Sequence, residues 1–175
     1  MHRHICASNR LLNVHFEAVI GGLSVAIIMH ERNVEEGTIE WSTWSADSGS
    51  HSRSYHRYED VYVNAPFCGK LGFIAPEYHI TDKCTLKNDV YAYGKMLLEL
   101  ILGQPIYDFR ELLSREAFRL EDGLRILMNE GQLGRVIDSN LQGNYVEGAA
   151  ERLVQFALLC TYEDPSLRPE MSEEV

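Results

Sequence analysis

The sequence predicts a mainly α-helical domain with a short β-hairpin region near its N-terminus. Three stretches in the second half of the chain carry apolar residues at helical spacing, which favours packed α-helices. The first 29 residues instead show short alternations of apolar and polar residues, which are typical of strands. With 45% apolar and 24% charged residues over 175 positions, the composition is that of one globular domain able to bury a core.

The first part of the chain is predicted to contain short strands followed by a loop. In residues 1–29, the apolar residues Phe16, Ala18 and Ile20 occur at alternate positions, which suits strands better than a helix. Residues 30–63 are polar and rich in serine, histidine, glutamate and tyrosine. That composition predicts a long, mobile loop.

A buried helix is predicted over residues 88–103. Asn88 or Asp89 would be its N-cap and Gly103 its stop, because asparagine and aspartate accept from free N–H groups and glycine adopts the left-handed C-terminal conformation. Apolar residues cover almost every face of this stretch, namely Val90, Tyr91, Tyr93, Met96, Leu97, Leu98, Leu100, Ile101 and Leu102. A helix that is apolar all round is expected to be buried.

Two further helices are predicted towards the C-terminus. One covers about residues 114–128 and is closed by Gly131. The other covers about residues 148–161 and carries a stripe of leucine, valine, phenylalanine and alanine side chains for the core. Pro165 and Pro169 then prevent the helix from continuing.

Charge and cysteine content exclude several classes of protein. The chain has 16 basic and 26 acidic residues, and its net charge of −10 argues against nucleic acid or an anionic membrane as the main partner. The cysteines Cys6, Cys68, Cys84 and Cys160 include no Cys-x-x-Cys pair, so neither a disulfide framework nor a zinc finger is predicted. We therefore expect a reducing compartment.

The N-terminal apolar stretch predicts neither a membrane span nor a secretion signal. The uncharged apolar run at residues 18–29 is well short of the roughly 20 residues that a membrane helix needs. Arg3 and Arg10 precede an apolar stretch, as in a signal peptide, but His15 and Glu17 interrupt it and no clear cleavage site follows. We expect no membrane span in this chain.

Three segments carry a resemblance to protein kinases. Residues 72–78 (GFIAPEY) and 85–94 (TLKNDVYAYG) resemble the end of the kinase activation segment and the buried helix after it. Residues 160–172 (CTYEDPSLRPEMS) look like the closing helices of plant receptor-like serine/threonine kinases, the receptor-like/Pelle branch. Because the segments occur in the family's order and approximate spacing, the chain is similar to this family over most of its length.

The resemblance implies a protein-kinase-like C-terminal lobe with the N-terminal lobe absent. Residues 1–175 would then be a partial kinase domain. Within it, residues 1–29 would hold the catalytic loop and metal motif, 30–74 an enlarged activation segment, and 75–175 the helical part of the lobe. The family's glycine-rich loop, strand lysine with its glutamate partner, and adenine-binding hinge have no counterpart in the sequence.

The resemblance also implies a degenerate catalytic loop. His2, Arg3 and Asn9 match the family's His-Arg-Asp-x-x-x-x-Asn pattern, but His4 stands at the position of the catalytic aspartate. A neutral imidazole lacks the negative charge and shape of a carboxylate, so it is a poor substitute. Gly22 stands where the Asp-Phe-Gly motif carries its metal-binding aspartate, which leaves Asn9 only as a vestigial magnesium ligand.

Three more departures weaken the implied active site. Ser24, two residues after Gly22, offers only a neutral hydroxyl. Cys6 replaces a lysine that the family carries near the transferred phosphate, and Lys70 replaces the threonine of its Gly-Thr motif. Both replacements remove groups that position substrate. No confident catalytic residue and no cofactor-binding residue are therefore assigned.

The structural residues of the family are retained. By resemblance, Glu77 should form a buried ion pair with Arg168, which would join the activation segment to the late helices. Asp89 should accept hydrogen bonds from the backbone near His2 and Arg3. Charges that are buried need partners, which gives a physical reason for keeping both members of each contact.

The expected function is that of a pseudokinase-like domain, catalytically inactive and acting through protein binding in signalling. Its expected partners are proteins, such as another kinase or a receptor, and its expected location is the cytoplasm or the cytoplasmic side of a membrane. No cofactor is expected. Two alternatives stay open. The chain could be a residual serine/threonine phosphotransferase within a longer protein, which would need ATP and magnesium, or a decayed fragment without activity.

Two local patterns allow other interpretations. The His2-x-His4 pair could bind a metal, although no second ligand cluster accompanies it. The polar zone could be phosphorylated, or it could simply be a solvated loop. Its candidate acceptors are Ser42, Thr43, Ser45, Ser48, Ser50, Ser52 and Ser54.

Overall fold

An antiparallel hairpin begins the fold, as the sequence predicts. The computed structural model describes residues 1–43, 54–106, 119–141 and 145–172. Strands β1 (Arg10–Leu12) and β2 (Ala18–Ile20) pair with Leu11 opposite Val19. The short 3₁₀ turns Ala7–Asn9 and Leu23–Val25 lie on either side of this hairpin.

The predicted long loop over residues 30–63 is wrong for most of its described part. Strands β3 (Glu35–Thr43) and β4 (Ser54–Asn64) form a long antiparallel pair, and β5 (Lys83–Thr85) adds to β4, giving the order β3–β4–β5. Alternate apolar side chains explain the strands, because they bury one face of the sheet. These side chains are Ile39, Trp41, Tyr58 and Tyr62. Residues 44–53, with most of the candidate phosphorylation sites, lie outside the described residues.

Helix α1 (Pro76–Thr81) is short and leads into the central helix α2 (Leu86–Leu102). The predicted N-cap of α2 at Asn88 or Asp89 is wrong. Thr85 is the N-cap, and Asn88 lies three residues later, where its Oδ1 accepts a hydrogen bond from the Thr85 N–H at 2.6 Å. The predicted stop is confirmed, since Gly103 has φ +67° and its N–H donates to the Glu99 carbonyl.

Helix α4 (Glu147–Cys160) packs against α2 at close range and confirms the predicted C-terminal helix to within one residue. A Cβ added to Gly94 of α2 would lie 2.6 Å from the Cβ of Cys160 and 2.8 Å from the Ala157 carbonyl oxygen. Only glycine permits this approach. The main core forms beside it, from Leu98, Ile101, Leu102, Leu120, Leu124, Leu133, Ile137, Val154, Ala157 and Leu158.

Helix α3 (Leu120–Asn129) begins later than predicted. Arg119 has extended backbone angles and caps the helix, so in the described residues the helical turns start at Leu120, while residues 107–118 lie outside the description. Its Glu121 forms a buried ion pair with Lys95 of α2, which fixes α3 to the central helix. In the ranges that the structure describes, no helix is long and apolar enough to cross a membrane.

Candidate functional site

Residues 2–9, which resemble the kinase catalytic loop, are fixed to the first turn of α2 by Asp89. Its Oδ2 accepts a hydrogen bond from the His2 N–H at 2.6 Å, and its Oδ1 accepts from the Arg3 N–H at 2.7 Å. The carboxylate is almost fully buried, and a buried charge needs such donors. The structure therefore brings together the three residues that the resemblance grouped.

The His2 imidazole links the catalytic-loop segment to the end of the β1–β2 hairpin. Its Nε2 lies 2.8 Å from the Gly21 carbonyl oxygen, and its Nδ1 lies 3.2 Å from the His4 N–H. A carbonyl only accepts and an amide N–H only donates, so Nε2 must carry the proton and Nδ1 must be unprotonated. Both ring nitrogens are therefore engaged. This geometry argues against the interpretation of His2-x-His4 as a metal-binding pair.

The Asn9 side chain fills the space beside Gly22. A Cβ added to Gly22 would lie 2.5 Å from the Asn9 Cγ and 2.7 Å from its Oδ1, and Gly22 has φ +78°, a conformation that favours glycine. The Asn9 Nδ2 donates to the His4 carbonyl at 2.9 Å. At the two positions that the resemblance assigns to magnesium ligands, the chain thus offers one neutral amide oxygen.

The substituted positions around the loop have local partners. Cys6 is buried, with its Sγ 3.1 Å from the Ser8 Oγ. The Lys70 ammonium lies 3.5 Å from the Glu99 carboxylate and 4.5 Å from the centre of the Phe73 ring. Lys70 therefore ties the segment before α1 to α2. Ser24 is exposed in the turn after Gly22.

The Arg3 guanidinium joins three segments. It donates to the Val25 carbonyl at 3.2 Å, to the Pro66 carbonyl, and to the Tyr78 hydroxyl at 3.3 Å. Burial raises the pKa of Tyr78 above its ordinary value, although the hydrogen bond from the Arg3 guanidinium acts to lower it. The sequence did not identify these partners. The Pro66 carbonyl is a backbone acceptor without a residue-type signal, and only the fold brings the Tyr78 hydroxyl close to Arg3.

A small cavity lies between part of this segment and α2. It has a volume of about 20 Å³ and is lined by Arg3, His4, Cys68, Tyr78 and Asp89, among others. This volume fits about one water molecule. The cavity is therefore too small to hold a nucleotide or a peptide side chain.

A buried ion pair joins α1 to the segment after α4. Arg168 donates from Nη1 and Nη2 to the two Glu77 carboxylate oxygens at 2.7 and 2.8 Å, and both side chains are 0% exposed. Its remaining N–H groups donate to the carbonyls of Tyr162, Glu163 and Lys87. All five guanidinium N–H groups thus have acceptors.

Asn88 completes this network, although the sequence pattern identifies it only as a possible cap. Its Nδ2 donates to the Glu77 Oε1 at 2.6 Å, while its Oδ1 holds the Thr85 N–H. One amide side chain therefore caps α2 and ties it to the ion pair. The position three residues after a threonine N-cap is the signal that could have located it.

The chain is similar to plant receptor kinases along its whole length. It is 35% identical to the LRR receptor kinase SERK2 of Oryza sativa subsp. japonica and 35% identical to a probable LRR receptor-like serine/threonine-protein kinase of Arabidopsis thaliana. A second such Arabidopsis thaliana kinase is 36% identical. Each match covers 100% of this chain and 24% of the relative, so the chain spans about a quarter of the length of these relatives.

A solved structure supports the same assignment. The pseudokinase domain of BIR2, an immune regulator of the RLK/Pelle family, superimposes with a TM-score of 0.58 and 26% identity, over 97% of this chain and 40% of that one. No protein-family model matches the sequence. Three observations lead to one assignment. They are the sequence matches over the whole of this chain, the shared fold, and the contacts of Glu77, Asp89 and Arg168. Over its whole length the chain is similar to the kinase domain of plant receptor-like serine/threonine protein kinases, and its fold corresponds to the C-terminal lobe of that domain.

Proposed function

We propose that this kinase-domain segment is catalytically inert and works in signalling by binding other proteins. The observation that carries the proposal is the geometry at Gly22. The position of the family's metal-binding aspartate has no side chain, and the Asn9 amide fills the space that a Cβ would need. A metal-binding carboxylate at Gly22 would require the Asn9 side chain to move first.

The donor set at this position does not suit magnesium. Mg²⁺ is bound by hard oxygen ligands in near-octahedral geometry, and protein sites usually supply one or two carboxylates. Asn9 supplies one neutral amide oxygen, while the Asp89 carboxylate is occupied by the His2 and Arg3 N–H groups. No cluster of metal-ligating side chains occurs within the described ranges. We infer that the chain does not use magnesium or ATP.

The position of the catalytic carboxylate supports the same proposal. His4 stands there, and its backbone N–H and carbonyl are bound to the His2 Nδ1 and the Asn9 Nδ2. An imidazole side chain carries no negative charge with which to orient a substrate hydroxyl. Phosphoryl transfer would thus lack both its base and its metal.

Retention of the scaffold supports a binding function. The Glu77–Arg168 pair keeps all of its hydrogen bonds although the residues that perform catalysis are replaced. The similar BIR2 structure is described as a pseudokinase domain and an immune regulator. We propose that the partner is a protein, another kinase or a receptor, met in the cytoplasm or at the cytoplasmic side of a membrane.

A phosphate-transfer assay tests the catalytic part of the proposal. Purified chain is incubated with radiolabelled ATP, magnesium and a generic protein substrate, beside an Asn9→Ala variant that removes the last amide oxygen. We expect no incorporation above background for either protein. Incorporation by the wild-type chain that disappears in Asn9→Ala would show a residual phosphotransferase and contradict the proposal.

A binding measurement tests the second part. The chain is titrated calorimetrically with the purified kinase domain of a plant LRR receptor kinase. We expect saturable binding that Asn9→Ala leaves unchanged, since that side chain belongs to the former metal site. Absence of binding at about 100 μM, or a chain without a cooperative unfolding transition, would favour a decayed fragment instead.

A further inference from the structure

Two of the four free cysteines line one cavity. Cys68 and Cys84 both border the space of about 20 Å³ beside α2, together with Arg3. The Cys68 Sγ lies 3.7 Å from the Arg3 carbonyl oxygen. Burial raises the pKa of the Cys84 thiol to about 11, while the Arg3 guanidinium beside it acts to lower that pKa. Arg3 thus lies beside both thiols, which places the two cysteines in one neighbourhood.

The backbone holds Cys84 in a strand and Cys68 in a loop. Cys84 belongs to β5, where it lies directly opposite Val63 of β4, and it is buried. Cys68 lies in residues 65–70, which leave β4 without regular secondary structure. Its neighbour Gly69 has φ +142°, a conformation that favours glycine. A thiol in a loop can therefore approach a thiol that its strand keeps in place.

The cavity gives the two sulfurs room to approach each other. Its volume of about 20 Å³ fits about one water molecule. A change of χ1 rotamer moves a cysteine sulfur by about 3 Å, which is on the scale of this space. A disulfide needs Cα atoms within about 7 Å of each other. Bond formation therefore requires the loop at Cys68 to close towards β5, into the cavity.

We propose that Cys68 and Cys84 form a reversible disulfide when the chain meets a peroxide, which makes this pair a redox-sensitive modification site. The Cys68 thiol loses its proton, its sulfur attacks one peroxide oxygen, and the O–O bond breaks to give a sulfenic acid and water. The Cys84 thiol then loses its proton and its sulfur attacks the Cys68 sulfur. The S–S bond forms and the sulfenic hydroxyl leaves with that proton as a second water, so the two thiols give two electrons to one peroxide.

The two thiols suit different steps of this reaction. Cys68 is half-buried, so a peroxide can reach it, whereas Cys84 is buried and reacts with a sulfur that is brought to it. In a reducing compartment such a disulfide is transient, because thiol reductants restore the pair. The cross-link closes residues 68–84 into a loop around α1. This modification does not depend on whether the chain transfers phosphate or binds a receptor kinase.

Treatment of the purified 175-residue chain with about 100 μM hydrogen peroxide tests the proposal. Peptide mapping by mass spectrometry without reduction should find Cys68 joined to Cys84. Titration after denaturation should find two free thiols fewer than the four of the untreated chain, and dithiothreitol should restore them. The disulfide should raise the midpoint of thermal unfolding by roughly 5–10 °C, because it closes a loop in the unfolded chain.

Three variants separate this pair from general thiol oxidation. Cys84→Ser should accumulate a Cys68 sulfenic acid that dimedone traps, whereas Cys68→Ser should keep its remaining thiols. Cys6→Ser is the matched control and should still form the cross-link, since the Cys6 Sγ lies 3.1 Å from the Ser8 Oγ. Thermal unfolding of each variant checks that it is folded. Four free thiols in the treated wild-type chain, or a cross-link between other cysteines, would overturn the proposal. Absence of a trapped sulfenic acid in Cys84→Ser would overturn the order of the two steps.

Discussion

Removal of the Glu77 carboxylate is expected to destabilise the fold by about 3–5 kcal/mol, because it leaves the Arg168 guanidinium buried without its counter-charge. The structure explains the size of this effect. Glu77→Ala removes the acceptors of two guanidinium N–H bonds, at 2.7 and 2.8 Å, and of the Asn88 amide at 2.6 Å. Both charged side chains are 0% exposed, so water cannot replace the lost acceptors without local opening.

A loss of this size is a large part of the 5–15 kcal/mol that stabilises an ordinary domain. Urea unfolding, followed by far-ultraviolet circular dichroism, measures it directly. With a slope of about 2 kcal/mol per M, the midpoint should fall by roughly 1.5–2.5 M. Arg168→Ala should have an effect of similar size, because it leaves the Glu77 carboxylate without its cation.

Two comparisons distinguish the loss of the ion pair from the general effect of replacing a charged residue by alanine. Arg135→Ala, at an exposed arginine that bonds Gln132, should change stability by less than about 0.5 kcal/mol. The double variant Glu77→Ala/Arg168→Ala should lose less stability than the sum of the two single variants, since neither buried charge is then left alone. Wild-type stability in both single variants would refute the reasoning and the assignment of these residues.

Other perturbations test the site. Gly22→Ala should lower the free energy of unfolding by about 1–2 kcal/mol, because Gly22 has a positive φ and the new Cβ would displace the Asn9 amide. Gly134→Ala is the control and should change stability little, since no atom lies within 4 Å of its added Cβ. Equal losses in urea unfolding would contradict this reasoning. Asp89→Asn should speed amide hydrogen exchange in residues 2–4 at least tenfold, and unchanged exchange would count against the anchoring role. Burial raises the pKa of the Cys84 thiol to about 11, so little of its reactive thiolate is present at pH 8. Iodoacetamide should therefore modify the half-buried Cys68 before the buried Cys84. Equal rates of modification would contradict the expected protection of Cys84.

Much of the helical part of the fold could be predicted from local signals. The apolar pattern before Gly103 located α2, and a glycine with positive φ ended it as expected. The N-cap was misplaced because Asn88, a good capping residue, lies at the third position of the helix, where its side chain accepts a hydrogen bond from the Thr85 N–H. Local pattern thus gives the element, while its first residue depends on which of two competing caps is used.

The β3–β4 pair could not be recognised from composition. Its polar residues outnumber its apolar ones, and the apolar residues that matter, Ile39, Trp41, Tyr58 and Tyr62, become a core only when the two strands are paired. Strand formation there depends on tertiary contact with β5 and α1. Large apolar residues at even spacing, two apart at Ile39 and Trp41 and four apart at Tyr58 and Tyr62, were the signal that the polar composition obscured.

The site was predictable where it depends on residue type and not where it depends on backbone. Glu77, Asp89 and Arg168 were named from motif positions, and the structure places each of them in the expected neighbourhood. The Asn9 side chain beside Gly22 was not foreseen, because that contact requires the left-handed backbone at Gly22.

The most direct test of catalytic inertness is a thermal melt of the chain with and without magnesium and ATP. A ligand at a hundred times its dissociation constant adds about 2.7 kcal/mol, which for a chain of this length raises the midpoint by roughly 5–10 °C. We predict a cooperative transition whose midpoint magnesium and ATP leave unchanged. A saturable shift of 5 °C or more that requires both magnesium and ATP would contradict the account.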